Sequence, residues 1–276
     1  MTIALLFPGQ GSQFVGMGKD FYDKYDQAKN VYNQLDVVLN RPLTDLIFNG
    51  TDEEIALTTN SQPAIMATSI AILRCLQHEE LINLPSVSYT AGHSLGEYSA
   101  LMFAESITFE DAIGMTHLRG KLMQHSEEGK MMAILGLDSK TIDEACSQIN
   151  ESHKSAYVAS ANYNSVKQTV IAGNIEGIEI ARDFLPEIGA KRCMELNVSI
   201  ASHTWLMTDA ANEFNESLQK INFSAPRYPI IQNYTGEIET DISTIKQNLF
   251  NQLTKPVLWT KTKDKKKKTF SSPILK

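Results

Sequence analysis

The sequence predicts an α/β fold built on a parallel sheet and interrupted by a compact α+β insert. Short continuous apolar runs, TIALLF at Thr2 to Phe7 and VSY at Val87 to Tyr89, end in glycine turns and precede helix-forming stretches, the alternation that buries parallel strands between helices. Between Gly129 and Asn197 the texture shortens to strand, helix, two strands, helix and strand. After it, HTWLMTDAANEFNESLQKI, from His203 to Ile221, reads as a long amphipathic helix.

Taken in order, TIALLF stops at Pro8-Gly9, so it is too short for a useful helix and reads as a buried strand. A glycine-rich loop and a polar helix near Lys19 to Gln34 follow. Asn60-Ser61-Gln62-Pro63 then leads into AIMATSIAILRCL. Proline is tolerated in a first helical turn, and the near-continuous apolar run implies a helix buried on most sides. Pro85 to Tyr89 supplies the next strand, and LGEYSALMFA after Ser94 the next helix. In the insert, MMAILGL, an acidic helix near Thr141 to Asn150, AYVASANY, QTVIAG and a helix from Ile175 to Ile188 give the ferredoxin-like order. The expected division is 1–128 with 198–260 as a discontinuous large domain, 129–197 as the small one, and 261–276 as a disordered lysine-rich tail.

A chain of 276 residues that is 42% hydrophobic can bury a large core. The formal charge of −7 hides an asymmetry, because eight lysines and one aspartate lie from Lys255 onward, leaving the body near −14. An acidic body argues against a nucleic-acid surface, which needs clustered positive charge. Cys75, Cys146 and Cys193 are far apart and show no metal-ligand spacing, so neither disulfides nor a metal site is expected. The opening MTIALLFPGQGSQ lacks a basic stretch and is too short in apolar residues for a signal peptide or a membrane span. The expectation is a cytoplasmic protein without membrane contact.

The chemistry centres on Gly92-His93-Ser94-Leu95-Gly96. This is the nucleophile-elbow pattern, in which flanking glycines permit a sharp strand-to-helix turn that exposes the serine. Its position between an apolar strand and a helix favours a nucleophile over a structural turn. At the helix N-terminus the free N–H groups favour a developing anion, so Leu95 N–H is one candidate oxyanion donor. FPGQGSQ, Phe7 to Gln13, offers Gln10 N–H as the other. It lacks the GxGxxG order and the Gly-Lys-Ser/Thr of phosphate-binding loops.

A base must come from His78, His93, His117, His125, His153 or His203. His93 is too near in the elbow to reach its neighbour's hydroxyl well, and His78 and His153 lie in polar, helix-surface surroundings. His203, at an apolar strand-to-helix junction after the small Ala201 and Ser202, is either the base or a helix-capping histidine. Arg119, in Leu118-Arg119-Gly120, reads from pattern as a surface helix arginine, with a pocket cation as the alternative.

Seven ordered motifs together resemble the malonyl-CoA:acyl carrier protein transacylase family of fatty acid synthesis. They are FPGQGSQ, NSQPAI at Asn60 to Ile65, AGHSLGEYSAL, LRGKLMQ at Leu118 to Gln124, ANYNS at Ala161 to Ser165, SHTWLM at Ser202 to Met207 and QLTKPVLW at Gln252 to Trp259. They span the chain up to Trp259. The resemblance implies an α/β-hydrolase-like large domain with a ferredoxin-like insert, and a usually monomeric enzyme. It makes Ser94 the acyl acceptor, His203 its base, and the Gln10 and Leu95 amides the oxyanion hole. It makes the Gln252 carbonyl the group that orients His203, and Arg119 the partner of the malonyl carboxylate, with Gln62 and Asn162 as pocket support. The implied partners are malonyl-CoA and acyl carrier protein, with no cofactor of the enzyme's own.

Three features cut across the resemblance. Leu95 fits malonyl-selective members, whereas Ile200-Ala201-Ser202-His203 lies nearer the Y-A-S-H of methylmalonyl-selective polyketide acyltransferases. Val166-Lys167-Gln168 stands where the family has Pro-Gly-Gln, so that turn is expected to differ locally. After Trp259, where members continue with a helix, a strand and a Gly-Pro-Gly turn, this chain reads TKTKDKKKKTFSSPILK. An A-rich codon run with a reading-frame slip would produce such an ending. The expected consequence is an exposed sheet edge, and an inactive remnant is one alternative to the active enzyme. A serine esterase or thioesterase is the other, although such hydrolases usually place an acid between serine and histidine.

Overall fold

The structure is a computed structural model that describes residues 3–269 and 274–275. Its larger sheet contains β1 (Ile3–Phe7), β2 (Val87–Gly92), β7 (Ile230–Ile231), β8 (Ile238–Glu239) and β9 (Ile274–Leu275), in the order β8-β7-β2-β1-β9. β1, β2, β7 and β9 run parallel, and β8 pairs antiparallel with β7. Both apolar runs expected as strands are therefore central and adjacent, with Phe7 opposite Gly92 at their carboxyl ends. In parallel α/β sheets that is the end where loops collect and ligands bind.

The helix Thr58–His78 starts earlier than NSQPAI suggests, so Pro63 lies inside it and not in its first turn. A proline there removes the N–H that would bond the Thr59 carbonyl. That carbonyl is instead satisfied by His117 Nδ1 at 3.2 Å and Arg41 Nη2 at 3.4 Å. Tertiary donors make the interior proline tolerable, and Gln62 falls on a buried helical position. The amphipathic segment after His203 is likewise shorter, a 3₁₀ turn at Trp205–Met207 and then an α-helix at Thr208–Lys220.

The second sheet holds β3 (Lys130–Leu135), β4 (Val158–Ser165), β5 (Gln168–Gly173) and β6 (Arg192–Glu195), in the antiparallel order β4-β5-β3-β6. Strand alternation explains why MMAIL is apolar throughout. Met132 and Ile134 pack under the helices Ser139–Ser152 and Ile175–Glu187. Met131 and Ala133 face the other way, toward Ala201 and Leu206 beside His203. One face of the small sheet thus supports the segment that carries the candidate base. Val166 and Lys167 close the hairpin between Ser165 and Gln168.

The lysine-rich run, expected to be unfolded from Lys261, is helical from Trp259 to Thr269. Sequence charge disfavours such a helix, but its first turn is anchored. Thr260 Oγ1 donates to Tyr163 O at 2.7 Å, Lys261 Nζ pairs with Glu237 at 3.0 Å, and Thr262 is buried. β9 pairs with β1 through Ala4–Ile274 and Leu5–Leu275, so the edge expected to be bare is covered there. The rest of the expected disordered tail, 270–273 and 276, lies outside the described residues.

Candidate active site

β2 ends at Gly92, Ser94 adopts φ +52°, and the helix Gly96–Phe103 departs at once. The turn is so tight that a Cβ on Gly92 would lie 1.8 Å from the Gly96 carbonyl carbon. Gly92→Ala is therefore expected to cost roughly 3 kcal/mol or more by backbone overpacking, seen as a melting temperature lower by roughly 5–10 °C. The loop after β1 packs directly on the elbow, and a Cβ on Gly9 would come within 2.5 Å of His93 O. That contact brings Gln10 to the same cavity as Ser94. Leu95 is the buried N-cap of the departing helix, and the first N–H groups of a helix have no intrahelical acceptor.

His203 is also left-handed, at φ +64°, and is buried. Its Nε2 lies 2.9 Å from Ser94 Oγ, and its Nδ1 lies 2.6 Å from the backbone carbonyl of Gln252. A carbonyl can only accept, so the proton sits on Nδ1 and leaves Nε2 free to accept from the serine hydroxyl. These two hydrogen bonds are the ones a base at this position would need. Ser94 and His203 both occupy a region that costs about 1–3 kcal/mol each, a strain that functional sites commonly retain.

Arg119 is 1% exposed, which overturns the surface reading suggested by its helix pattern. Nη1 donates to Gln62 Oε1 at 2.8 Å, and Nη2 donates to Gln252 Oε1 at 3.0 Å and to Ser94 Oγ at 3.1 Å. Its direct hydrogen-bond acceptors here are neutral. A fixed cation therefore stands beside the nucleophile with its charge unspent on an ion pair, a setting suited to a substrate carboxylate.

Burial lowers the His203 pKa to about 3, with the Arg119 charge adding to the effect and the Gln252 hydrogen bond opposing it. A lowered folded value means that the neutral imidazole persists as pH falls through the ordinary histidine range. The expected kcat/KM profile consequently lacks an acid limb near pH 6.5 and falls only toward about 3. Stability behaves oppositely, since the unfolded histidine gains its proton first and folding weakens from about pH 6.5 downward. Initial rates from brief acid pulses and melting curves across the same pH range separate the two effects.

Ser94, His203, Arg119, Gln10 and Asn162 line one cavity of about 250 Å³. Gln62 and Gln252 stand behind Arg119. Asn162 is buried and bridges to Val257 from β4. His93, set aside as a base, turns its Nε2 to Asn164 Oδ1 at 2.9 Å. Among the described residues, no group of three or more His, Cys, Asp or Glu side chains could hold a metal. No helix among them is long and apolar enough to cross a membrane.

Sequence reading missed two residues. Asn233 clamps the elbow, its Oδ1 accepting from Ser94 N–H and its Nδ2 donating to Gly92 O, both at 2.6 Å. Nothing in QNYTG signals this, because the pairing spans far more than a hundred positions. Glu97 is buried beneath the elbow. Its one available signal was an acid inside the small and apolar stretch LGEYSALMFA.

Residues 4–269 match the acyl transferase domain family. The chain is 40% identical over 258 residues to the malonyl CoA-acyl carrier protein transacylase of Bacillus subtilis strain 168, covering 92% of this chain and 80% of that protein. Among solved structures, the acyl-carrier-protein-S-malonyltransferase of Bartonella henselae superposes with a TM-score of 0.94 at 36% identity, over 99% of this chain and 87% of the other. A malonyl-transacylase solved in complex with its type II polyketide synthase acyl-carrier protein gives 0.90 at 39% identity, over 96% and 84%. With these likenesses in agreement over nearly its whole length, the chain belongs to the malonyl-CoA:acyl carrier protein transacylase family.

Proposed function

We propose that this chain moves the malonyl group from malonyl-CoA to the phosphopantetheine thiol of an acyl carrier protein by way of a malonyl ester on Ser94. Ser94 Oγ attacks the thioester carbonyl as His203 Nε2 takes its proton, and the Gln10 and Leu95 N–H groups hold the oxyanion. The imidazolium returns the proton to the departing coenzyme A sulfur. The carrier thiol then gives its proton to the same nitrogen, attacks the ester and leaves with the acyl group, and Ser94 recovers its proton. The Gln252 carbonyl holds the base in the working tautomer, replacing the usual triad carboxylate.

The observation that carries this reading is the buried Arg119 donating to Ser94 Oγ at 3.1 Å. A substrate that brings its own carboxylate places it on the guanidinium fork and its thioester at the nucleophile together. Gln62 keeps Arg119 in that orientation, and Asn162 lines the same cavity. The reading needs no cofactor beyond the prosthetic arm of the carrier, and places the reaction in the cytoplasm on a monomer. It assigns 1–128 with 198–260 to one domain and 129–197 to the other.

Intact-mass measurement after incubation with malonyl-CoA tests the proposal. The expected result is a gain of one malonyl group at Ser94, cleared by added phosphopantetheinylated carrier protein with malonyl appearing on the carrier. Release of free malonate without transfer would make the chain a hydrolase and defeat the reading.

A further inference from the structure

Glu97 lies three residues beyond the nucleophile, is 1% exposed, and has no part in the steps above. Its Oε1 accepts from the Asn233 backbone N–H at 2.9 Å, and its Oε2 accepts from Gln252 Nε2. Both partners continue into the site. Gln252 Nε2 also donates to the Ser94 carbonyl at 3.0 Å, while its Oε1 accepts from Arg119 Nη2. Asn233 holds Ser94 N–H and Gly92 O with its side chain. One carboxylate thus stands at the root of two arms, one ending on the arginine beside Ser94 and the other on the elbow backbone.

The chemistry of these contacts asks for a carboxylate. Both groups facing Glu97 are donors, and a carboxylate can accept at each oxygen, whereas an amide offers one acceptor and one NH₂. An amide at this position would meet Gln252 Nε2 with its own NH₂ or meet the Asn233 N–H in the same way. The local remedy is to turn the Gln252 amide over, which points its NH₂ at Arg119 Nη2 and removes that acceptor. Burial pushes the Glu97 carboxyl up to about 8, while the Asn233 N–H, the Gln252 amide and the Arg119 charge pull it back toward the anion.

The interposed amide has a second consequence. A carboxylate in direct contact with Arg119 would compete with the acyl carboxylate for the same N–H groups. Gln252 passes on orientation while keeping the anion one side chain away.

We propose that Glu97 is a positioning residue for the transfer reaction, fixing Arg119 for the acyl carboxylate through the Gln252 side chain. This rests on the reading of Arg119 as the carboxylate partner. The test compares kcat and KM for malonyl-CoA and the neutral acetyl-CoA in wild type, Glu97→Gln, Gln252→Leu, the double variant and Arg119→Ala. The Glu97→Gln change is expected to lower the malonyl-to-acetyl ratio of kcat/KM by about tenfold to a hundredfold, the worth of a hydrogen bond to a charged group. The Gln252→Leu change should lower it similarly, and the double variant should show little further change, since both act along one path.

An unchanged ratio in Glu97→Gln, an equal loss toward both thioesters, or fully additive losses would overturn the proposal. If Glu97→Gln melts below the assay temperature, Gln252→Leu decides, because a retained malonyl preference there removes the relay. If Arg119→Ala also leaves the ratio unaltered, the clamp reading itself fails and the proposal falls with it. A shift in Arg119→Ala without one in Glu97→Gln defeats only the role of Glu97.

Discussion

Ser94→Ala is expected to take up no malonyl mass and to lose transfer by about 10⁴-fold or more, the usual consequence of deleting a nucleophile from an intact dyad. The cavity would retain His203, Arg119 and the amides around them, but no oxygen would remain 2.9 Å from the base and next to the cation. Melting should change little, because Asn233 bonds the residue through its backbone N–H and Gly92 through its carbonyl, contacts that alanine keeps. A mass gain that persists in Ser94→Ala would place the acyl group elsewhere and break the assignment.

Arg119→Ala is the second large effect. Truncating one member of a buried charged pair costs about 2–5 kcal/mol, or roughly 30-fold to several thousandfold in kcat/KM for malonyl-CoA. Acetyl-CoA has no carboxylate to lose, so its value should hold and the preference should relax toward uncharged acyl groups. The base offers an independent readout. The Arg119 charge is one of the causes lowering the His203 pKa, so its removal should move the acid limb of the acetyl-CoA profile upward. A variant that keeps full malonyl preference, with the acid limb unmoved, would show that Arg119 serves folding only.

Much of the architecture was legible because its determinants are local. The elbow is written in five consecutive residues, and the clashes of a Gly92 Cβ with the Gly96 backbone and of a Gly96 Cβ with the Phe7 and Pro8 carbonyls show why two of them are glycine. The two-faced burial of β3 follows from alternation along a single strand. Arg119 shows the opposite case. Its helix pattern pointed to the surface, and only its contacts with Gln62, Ser94 and Gln252, from three other segments, make burial tolerable. Gln252 came to notice through family resemblance, since a backbone carbonyl has no side-chain signature.

The same distinction covers the errors. The helix Thr58–His78 runs through Pro63 because His117 and Arg41 supply the missing donors to Thr59. The lysine-rich run is helical to Thr269 because its first turn is tied to Tyr163 and Glu237. Both readings failed where a distant partner outweighed a local preference.

By itself, then, the sequence determined the α/β class, the strand-turn-helix that carries Ser94, and the family to which its ordered motifs belong. These follow from apolar period, glycine sterics and motif order, which are properties of neighbouring residues. The tertiary structure alone decided that His203 faces Ser94 with its proton on the far nitrogen, that Arg119 is buried among neutral acceptors, and that Glu97 and Asn233 are hydrogen-bonded to Gln252 and the elbow. Hydrogen bonds between segments far apart in the chain set those facts, and their directions exist only once the chain has folded.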